Sequence, residues 1–155
     1  MSHVTCNMKH VTWALGIVFL IDRVSKYAAQ NLPDGKVFSV LPGLDFGYFL
    51  NPALFFFPAW RFVPWLALTV FITMAILFII KLQEYRSTHT KTIGYWLLAI
   101  GSILLGGGSN VFDRFAYDGV IDIIHIAGLA TINLADILIL LGLLLLMRKP
   151  YDKRS

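Results

Sequence analysis

The sequence predicts an all-α membrane protein, with four transmembrane helices and a small extracytoplasmic β-cradle between the first two. Composition is the first observation behind this prediction: 57% of the 155 residues are hydrophobic and only 14% are charged, whereas a soluble domain carries about a quarter charged residues. The second is four apolar stretches, at about residues 11–29, 62–82, 94–112 and 132–147. A membrane-spanning helix needs about 20 residues, so the fourth is short without its flanks. We expect residues 1–155 to form a single integral-membrane domain.

The first apolar stretch carries charged residues and is not interpreted as a cleavable leader. Asp22, Arg23 and Lys26 lie within it, and no A-x-A-like cleavage site follows. Asp22 and Lys26 are four positions apart, a spacing that brings two side chains together on one face of a helix. We expect an ion pair between them that makes both charges tolerable within a membrane.

The connection between the first two stretches, residues 30–61, predicts the β-cradle. Residues 36–41 and 44–50 have extended character, and Pro42-Gly43 between them is a turn signal. The apolar segment that follows, residues 51–58, is expected to dip into the membrane interface.

Basic residues are distributed unevenly among the segments that flank the apolar stretches. The first and third connections hold three of them: Lys36, Arg61 and Arg114. Most of the others lie in the termini, in the second connection (residues 83–93) or just before that connection: Lys9, Lys81, Arg86, Lys91, Arg148, Lys149, Lys153 and Arg154. Because positive charge concentrates on the cytoplasmic side, both termini are predicted to be cytoplasmic. The net charge of +4 therefore reflects topology, and no nucleic-acid partner is expected.

Three aspartates follow one another near the last two apolar stretches. Asp113 and Asp122 fall in the predicted third connection, residues 113–131, and Asp136 opens the fourth stretch. An ionised carboxylate at the centre of a transmembrane helix costs roughly 2.5–3.5 kcal/mol, so a chain that keeps three of them is expected to use them. Two close carboxylates can share one proton and activate a water molecule.

Two asparagines precede aspartates by three positions, as Asn110/Asp113 and Asn133/Asp136. Since this spacing places both side chains on one helix face, each amide is positioned to hold its carboxylate or a substrate carbonyl. Helix capping is the alternative. It suits Asn133, a favoured N-cap residue, but it explains Asp136 poorly, because that residue lies beyond the cap.

Other polar and small residues have less specific interpretations. Arg114 follows Asp113 and is either its ion-pair partner or a donor to a substrate carbonyl or lipid ester. His125 has no second His or Cys at ligand spacing, and a metal site needs at least three ligands, so neither a metal nor an organic cofactor is expected. Gly106-Gly107-Gly108 predicts close helix packing, or a loosened helix end near a ligand, with packing favoured.

A set of motifs runs through nearly the whole chain in a fixed order. They are Asp22-x-x-x-Lys26, Leu41-Pro42-Gly43, Asn51, Gly106-Gly107-x-x-Asn110-x-x-Asp113-Arg114, Val120-x-Asp122, Asn133-x-Ala135-Asp136 and Gly142. Their order and spacing resemble lipoprotein signal peptidase, also called signal peptidase II. That family cleaves the signal peptide of a diacylglyceryl-modified prolipoprotein, just before the lipid-bearing cysteine.

The resemblance implies an aspartic endopeptidase of the bacterial cytoplasmic (inner) membrane, with its site facing the periplasm or the outside. By matching motifs, the catalytic pair falls on Asp122 and Asp136, and this match alone ranks Asp122 above Asp113. Other matching positions support the pair or hold substrate: Asn51, Asn110, Asp113, Arg114, Asn133, Asp22 and Lys26. The expected partners are a lipid-modified prolipoprotein and membrane lipid, and a monomer is favoured.

The two catalytic acids are expected to converge from neighbouring helices and to approach each other through one water molecule. Burial and like-charge repulsion then leave the pair with a single proton, so that it titrates as a unit.

The chain departs from the family pattern at several positions. Asn51-Pro52-Ala53-Leu54-Phe55-Phe56 stands in place of Asn-x-Gly-x-Ala-Phe, Ser109 replaces a glycine, Ile132 replaces an aromatic residue, and the segment 123–132 is several residues short. Two alternatives therefore stay open. One is a non-catalytic or altered-specificity paralogue that binds lipoproteins, against which the retention of both acids argues. The other is a proton-coupled transporter subunit, whose acids would lie at the bilayer midplane and not at one face.

Overall fold

The computed structural model of the protein describes residues 8–33, 36–53, 61–88 and 91–148. These residues form mostly helix, as predicted. The elements follow the order α1 (Met8–Gln30), β1 (Phe38–Leu41), β2 (Leu44–Asn51), α2 (Val63–Thr88), α3 (Lys91–Tyr117), β3 (Val120–Ile126), β4 (Ala130–Ile132) and α4 (Leu134–Met147). The segment predicted to dip into the interface lies mostly outside the described residues.

Burial in this fold is inverted relative to that of a soluble protein. Asp22, Lys26 and Asp113 have no exposed surface, whereas α2 exposes large apolar side chains such as Trp65 and Ile76. Two segments of the described chain, in α2 and α3, are long and apolar enough to cross a membrane, whereas α4 is apolar but only 14 residues long. Charged groups that face the bundle interior while apolar groups face outward are typical of a protein in lipid.

The second connection is shorter than hydropathy predicts. Residues 83–93 were expected to be a loop, but α2 continues to Thr88 and α3 begins at Lys91. Hydropathy marks the apolar part of a helix and not its end. The polar extension of α2 keeps its own backbone hydrogen bonds and carries an ion pair of 2.7 Å between Lys81 and Glu84.

The start of the predicted third connection is also helical. Because α3 continues to Tyr117, Asp113 and Arg114 lie in its last turns, so the prediction that placed them in a loop is wrong. A continuous helix also excludes the loosened helix end considered for Gly106-Gly107-Gly108.

The strands of the β-cradle come from two connections, the one between α1 and α2 and the one between α3 and α4. β1 and β2 form the predicted hairpin, and Gly43 in its turn has a φ of 83°, a conformation that suits glycine. β3 and β4 come from the segment between α3 and α4 and extend the hairpin into an antiparallel sheet of order β1-β2-β3-β4. The prediction that confined the cradle to the first connection is therefore wrong. The β-branched run Val120–Ile126 was the available signal.

α3 is the central helix and packs against α1, α2 and α4. A Cβ added at Gly106 would collide with the carbonyl oxygen of Ala135, and one added at Gly142 would lie 2.6 Å from that of Ala99. These glycines let the backbones of α3 and α4 approach closely, which confirms the packing interpretation for Gly106. The sheet covers one end of this helix pair, where the candidate site lies.

Candidate active site

Asp122 lies on β3 and is held by neutral donors. Its side chain is 1% exposed. Oδ1 accepts a hydrogen bond from Asn133 Nδ2 at 2.7 Å, and Oδ2 accepts from Asn51 Nδ2 at 3.1 Å and from Thr131 Oγ1 at 2.6 Å. The sheet explains the contact with Asn51, because that residue ends β2 opposite Val120 of β3.

Asp136 lies in the first turn of α4, where it takes part in capping the helix. Asn133 is the N-cap: its Oδ1 accepts from the backbone N of Asp136 at 3.0 Å, while Asp136 Oδ2 accepts from the backbone N of Asn133 at 3.1 Å. This is a reciprocal capping box. The predicted cap at Asn133 is confirmed, whereas the view that capping explains Asp136 poorly is wrong, because Asp136 completes the box.

Asn133 joins the two acids. Its backbone N and Oδ1 bind Asp136, and its Nδ2 binds Asp122. One buried residue thereby fixes a carboxylate from a strand relative to a carboxylate from a helix. The acids were expected to come from two neighbouring helices, and the strand position of Asp122 corrects that expectation.

The side chain of Asn110 binds Asp136 and not Asp113, the acid that its i,i+3 spacing indicated. Lys26 Nζ donates to Asn110 Oδ1 at 2.9 Å. Because an ammonium group only donates, the Nδ2 group of Asn110 must face the other way, where it donates to Asp136 Oδ1 at 2.8 Å. Both amides therefore orient the acid pair Asp122/Asp136, and Asp113 binds elsewhere.

Asp113 belongs to a charged cluster between α1 and α3, formed by Asp22, Arg23, Lys26, Ser109 and Asp113. Lys26 Nζ lies 3.2 Å from Asp22 and 2.8 Å from Asp113, and Arg23 lies 2.6 Å from Asp113. The predicted Asp22–Lys26 ion pair is confirmed. Two acids and two bases leave the cluster without net charge.

Ser109 and Asp22 connect this charged cluster to the rest of the bundle. Ser109 Oγ donates to Asp22 Oδ2 at 2.6 Å and accepts from Lys26 at 3.3 Å and from Arg23 at 3.1 Å. Asp22 Oδ1 accepts from the backbone N of Ala135 at 2.9 Å. The charged cluster thus links α1, α3 and the N-terminus of α4.

Arg114 points away from Asp113. Its NH1 and NH2 groups donate to the carbonyl oxygens of Asn110 at 3.3 Å and Ala53 at 3.2 Å, and its buried Nε has no hydrogen-bond partner among the described residues. Adjacent residues on a helix point about 100° apart, so Asp113 faces α1 while Arg114 lines the cavity. The proposed ion pair between them is wrong.

A cavity of about 610 Å³ lies between α2, α3, α4 and the sheet. The acid pair lines it, together with Asn51, Asn110 and Arg114. Its apolar wall comes mainly from the three helices: Ala67, Val70, Phe71, Met74, Ile103, Leu104, Val111, Ile139, Leu140 and Leu143. The cavity therefore combines two carboxylates and their polar neighbours with walls suited to an apolar chain segment.

Three residues that contact aspartates in this region are not among the specified positions of the sequence motifs. Arg23 and Ser109 contact aspartates across long stretches of sequence, and Thr131 contacts Asp122 within the β3–β4 hairpin. A charge inside an apolar stretch was a signal for Arg23, and a hydroxyl in place of a glycine was one for Ser109. No local pattern indicated Thr131. His125 lies outside the cavity lining and packs on Phe49, with ring centroids 5.4 Å apart.

Residues 14–150 match the family model described as Signal peptidase (SPase) II. The chain belongs to the signal peptidase II family. It is 32% identical to the lipoprotein signal peptidase of Blochmanniella pennsylvanica (strain BPEN), over 94% of this chain and 91% of that one. It is 28% identical to the lipoprotein signal peptidase of Microcystis aeruginosa (strain NIES-843 / IAM M-2473), over 92% and 93%.

Its fold is similar to those of solved bacterial membrane enzymes. One, determined by the in meso method at 2.3 Å, gives a TM-score of 0.68 at 19% sequence identity. The match covers 94% of this chain and 95% of that chain. Another, at 1.9 Å, gives 0.65 at 22% identity over 90% of each chain. Membership of the signal peptidase II family implies a membrane protease and argues against the transporter alternative.

Proposed function

We propose that the protein is an aspartic endopeptidase that removes the signal peptide from diacylglyceryl-modified prolipoproteins, with Asp122 and Asp136 as its catalytic residues. One observation carries the proposal. The two carboxylates line a single cavity, are joined through Asn133, and form no ion pair with a cation among the described residues. Acids held by neutral donors and open to a cavity are available for proton transfer.

The reaction follows from two carboxylates that share one proton. Two ionised carboxylates in one poorly solvated site repel each other, so the proposed mechanism has one proton shared by the pair. The ionised acid removes a proton from a water molecule, whose oxygen attacks the scissile carbonyl carbon, while the protonated acid donates to the carbonyl oxygen. The tetrahedral intermediate then collapses, the C–N bond breaks, and the amide nitrogen takes up a proton.

The apolar walls of the cavity suit a substrate that is embedded in the membrane. The apolar faces of α2, α3 and α4 suit the apolar helix of a signal peptide, and a diacyl anchor would hold the scissile bond at the depth of the acids. Such positioning is a major source of rate acceleration. Arg114, whose Nε has no hydrogen-bond partner within the described part of the chain, is suited to bind a carbonyl of the substrate.

The same proposal includes the membrane arrangement. We place all four helices across the bacterial cytoplasmic membrane, with both termini in the cytoplasm and the sheet and acid pair on the outer side. The asymmetry of basic residues supports this orientation. One domain acting as a monomer is sufficient, since the acids and their donors all come from one chain.

A lipoprotein-binding paralogue without activity is the remaining alternative. The altered segment that begins at Asn51 is its main support. Asn51 nevertheless donates to Asp122 Oδ2 and its own Oδ1 accepts from the backbone N of Ala53 at 3.0 Å. The amide therefore retains a role in orienting the acid despite Pro52, which favours the peptidase.

Cleavage by isosteric variants tests the proposal. The purified full chain in proteoliposomes is given a synthetic diacylglyceryl prolipoprotein, and the product is followed by gel shift. Asp122→Asn and Asp136→Asn should each lower cleavage at least about 100-fold, since each removes one partner in proton transfer. Asp45→Asn, on β2 outside the cavity lining, is the matched control and should cleave normally. Normal cleavage by both acid-pair variants would show that the mechanism is wrong.

A further inference from the structure

The short segment 123–132 folds as a tight hairpin of β3 and β4. Gly128 in its turn has a φ of 74°, and the backbone N of Ala127 donates to the carbonyl oxygen of Gly43 at 2.8 Å. The hairpin is therefore anchored to the turn between β1 and β2. It returns the chain toward the start of β3, so that Thr131 on β4 comes within hydrogen-bonding distance of Asp122.

The structure assigns to Thr131 the role of a positioning residue for the Asp122 carboxylate, an inference that rests on the proposed function. The Thr131 hydroxyl donates to Asp122 Oδ2 at 2.6 Å, within the range of hydrogen bonds between a hydroxyl and an ionised carboxylate. The other donor to Oδ2, Asn51, lies farther away at 3.1 Å. Thr131 and Asp122 both line the cavity, so this contact lies at the proposed reaction site.

The orientation of a carboxylate depends on such contacts. The last torsion of an aspartate side chain is broad, so hydrogen bonds and not the rotamer must set the plane of its two oxygens. Asn133 fixes Oδ1 of Asp122, and Thr131 provides the shorter of the two contacts to Oδ2. Without the hydroxyl, Oδ2 keeps only the longer bond from Asn51, and the carboxylate loses part of its alignment toward the water molecule.

The test compares kcat and KM of the full chain with those of two Thr131 variants. Thr131→Val keeps the branched shape and removes the donor. It should lower kcat roughly ten- to hundredfold, the effect of losing a hydrogen bond to a charged group, with little change in KM. Thr131→Ser restores the hydroxyl and should recover most of the kcat, which a residue that only holds the hairpin together would not require. Thr73→Val, which removes an exposed hydroxyl on α2 that bonds within its own helix, should behave as wild type.

Each other outcome overturns a defined statement. If wild type is active and Thr131→Val matches it in kcat, the positioning role is wrong. Equal losses of kcat in the Val and Ser variants also overturn it, because the hydroxyl is then not the active group. If wild type cleaves nothing, the proposed function itself is wrong. Thr131→Ala repeats the comparison without a branched side chain if Thr131→Val disturbs the hairpin.

Discussion

The two sides of α3 hold aspartates in opposite ways. On the α1 side, the buried Asp113 lies in the charged cluster, in contact with both Arg23 and Lys26. On the cavity side, the described residues that bind Asp122 and Asp136 do so through amides, a hydroxyl and a backbone N–H. Within the described part of the chain, cations therefore pair with the acid on the α1 side and not with the two on the cavity side.

Under the proposed function, this difference separates a structural acid, Asp113, from the proposed catalytic acids Asp122 and Asp136. Asp113 is bound in an ion-pair network and does not line the cavity. Asp122 and Asp136 have neutral donors among the described residues and line the cavity, where a substrate and a water molecule can reach them. In the sequence, only the resemblance to the family ranks Asp113 below Asp122, whereas the contacts supply a physical reason to do so.

The largest effect on stability is expected at Lys26, which contacts both aspartates of the charged cluster. Lys26→Met leaves two buried carboxylates with one cation and should lower the free energy of unfolding by about 3–5 kcal/mol. Unfolding by SDS titration in mixed micelles measures it.

Lys81→Met is the matched control for this variant. It breaks an ion pair whose two side chains are 38% and 44% exposed, and should cost at most about 1 kcal/mol. Equal losses in the two lysine variants would mean that the charged cluster is not the stabilising region described.

A smaller loss of stability is expected at Ser109, whose hydroxyl lies within the charged cluster. Ser109→Ala removes a 2.6 Å donor to Asp22 and should lower the free energy of unfolding by about 1–3 kcal/mol, because a charged acceptor is left buried with one fewer partner. Ser102→Ala is the control: Ser102 is equally buried on α3, but its hydroxyl bonds only to Leu98 O within the helix. A Ser109→Ala loss no greater than that of Ser102→Ala would contradict the assignment.

Local signals predicted the parts of the molecule that local interactions create. The turn at Pro42-Gly43 predicted the β1–β2 hairpin, the i,i+4 spacing predicted the ion pair of Asp22 with Lys26, and residue type predicted the Asn133 cap. In each case the interacting residues are close in sequence, so short-range geometry is sufficient.

Contacts between distant segments were not predicted from spacing. Asn110 and Asp113 share an i,i+3 spacing, yet Lys26 on α1 fixes the amide of Asn110 toward Asp136 on α4. The addition of β3 and β4 to the first hairpin likewise depends on strand pairing across the chain. Such arrangements depend on how the helices pack, and the order of motifs indicates them only through the resemblance to a family.

We propose that Asp113 maintains the fold whereas Asp122 carries out chemistry. The most direct measurement determines both the unfolding free energy and the cleavage rate of Asp113→Asn and Asp122→Asn. Asp113→Asn should lose about 3 kcal/mol of stability or more, because the fully buried Lys26 and the partly exposed Arg23 lose their shared partner, yet cleave prolipoprotein wherever it remains folded. Asp122→Asn should stay within about 1 kcal/mol of wild type, since neutral donors can bind the amide oxygen, and should not cleave. A stable but inactive Asp113→Asn together with an active Asp122→Asn would contradict the account.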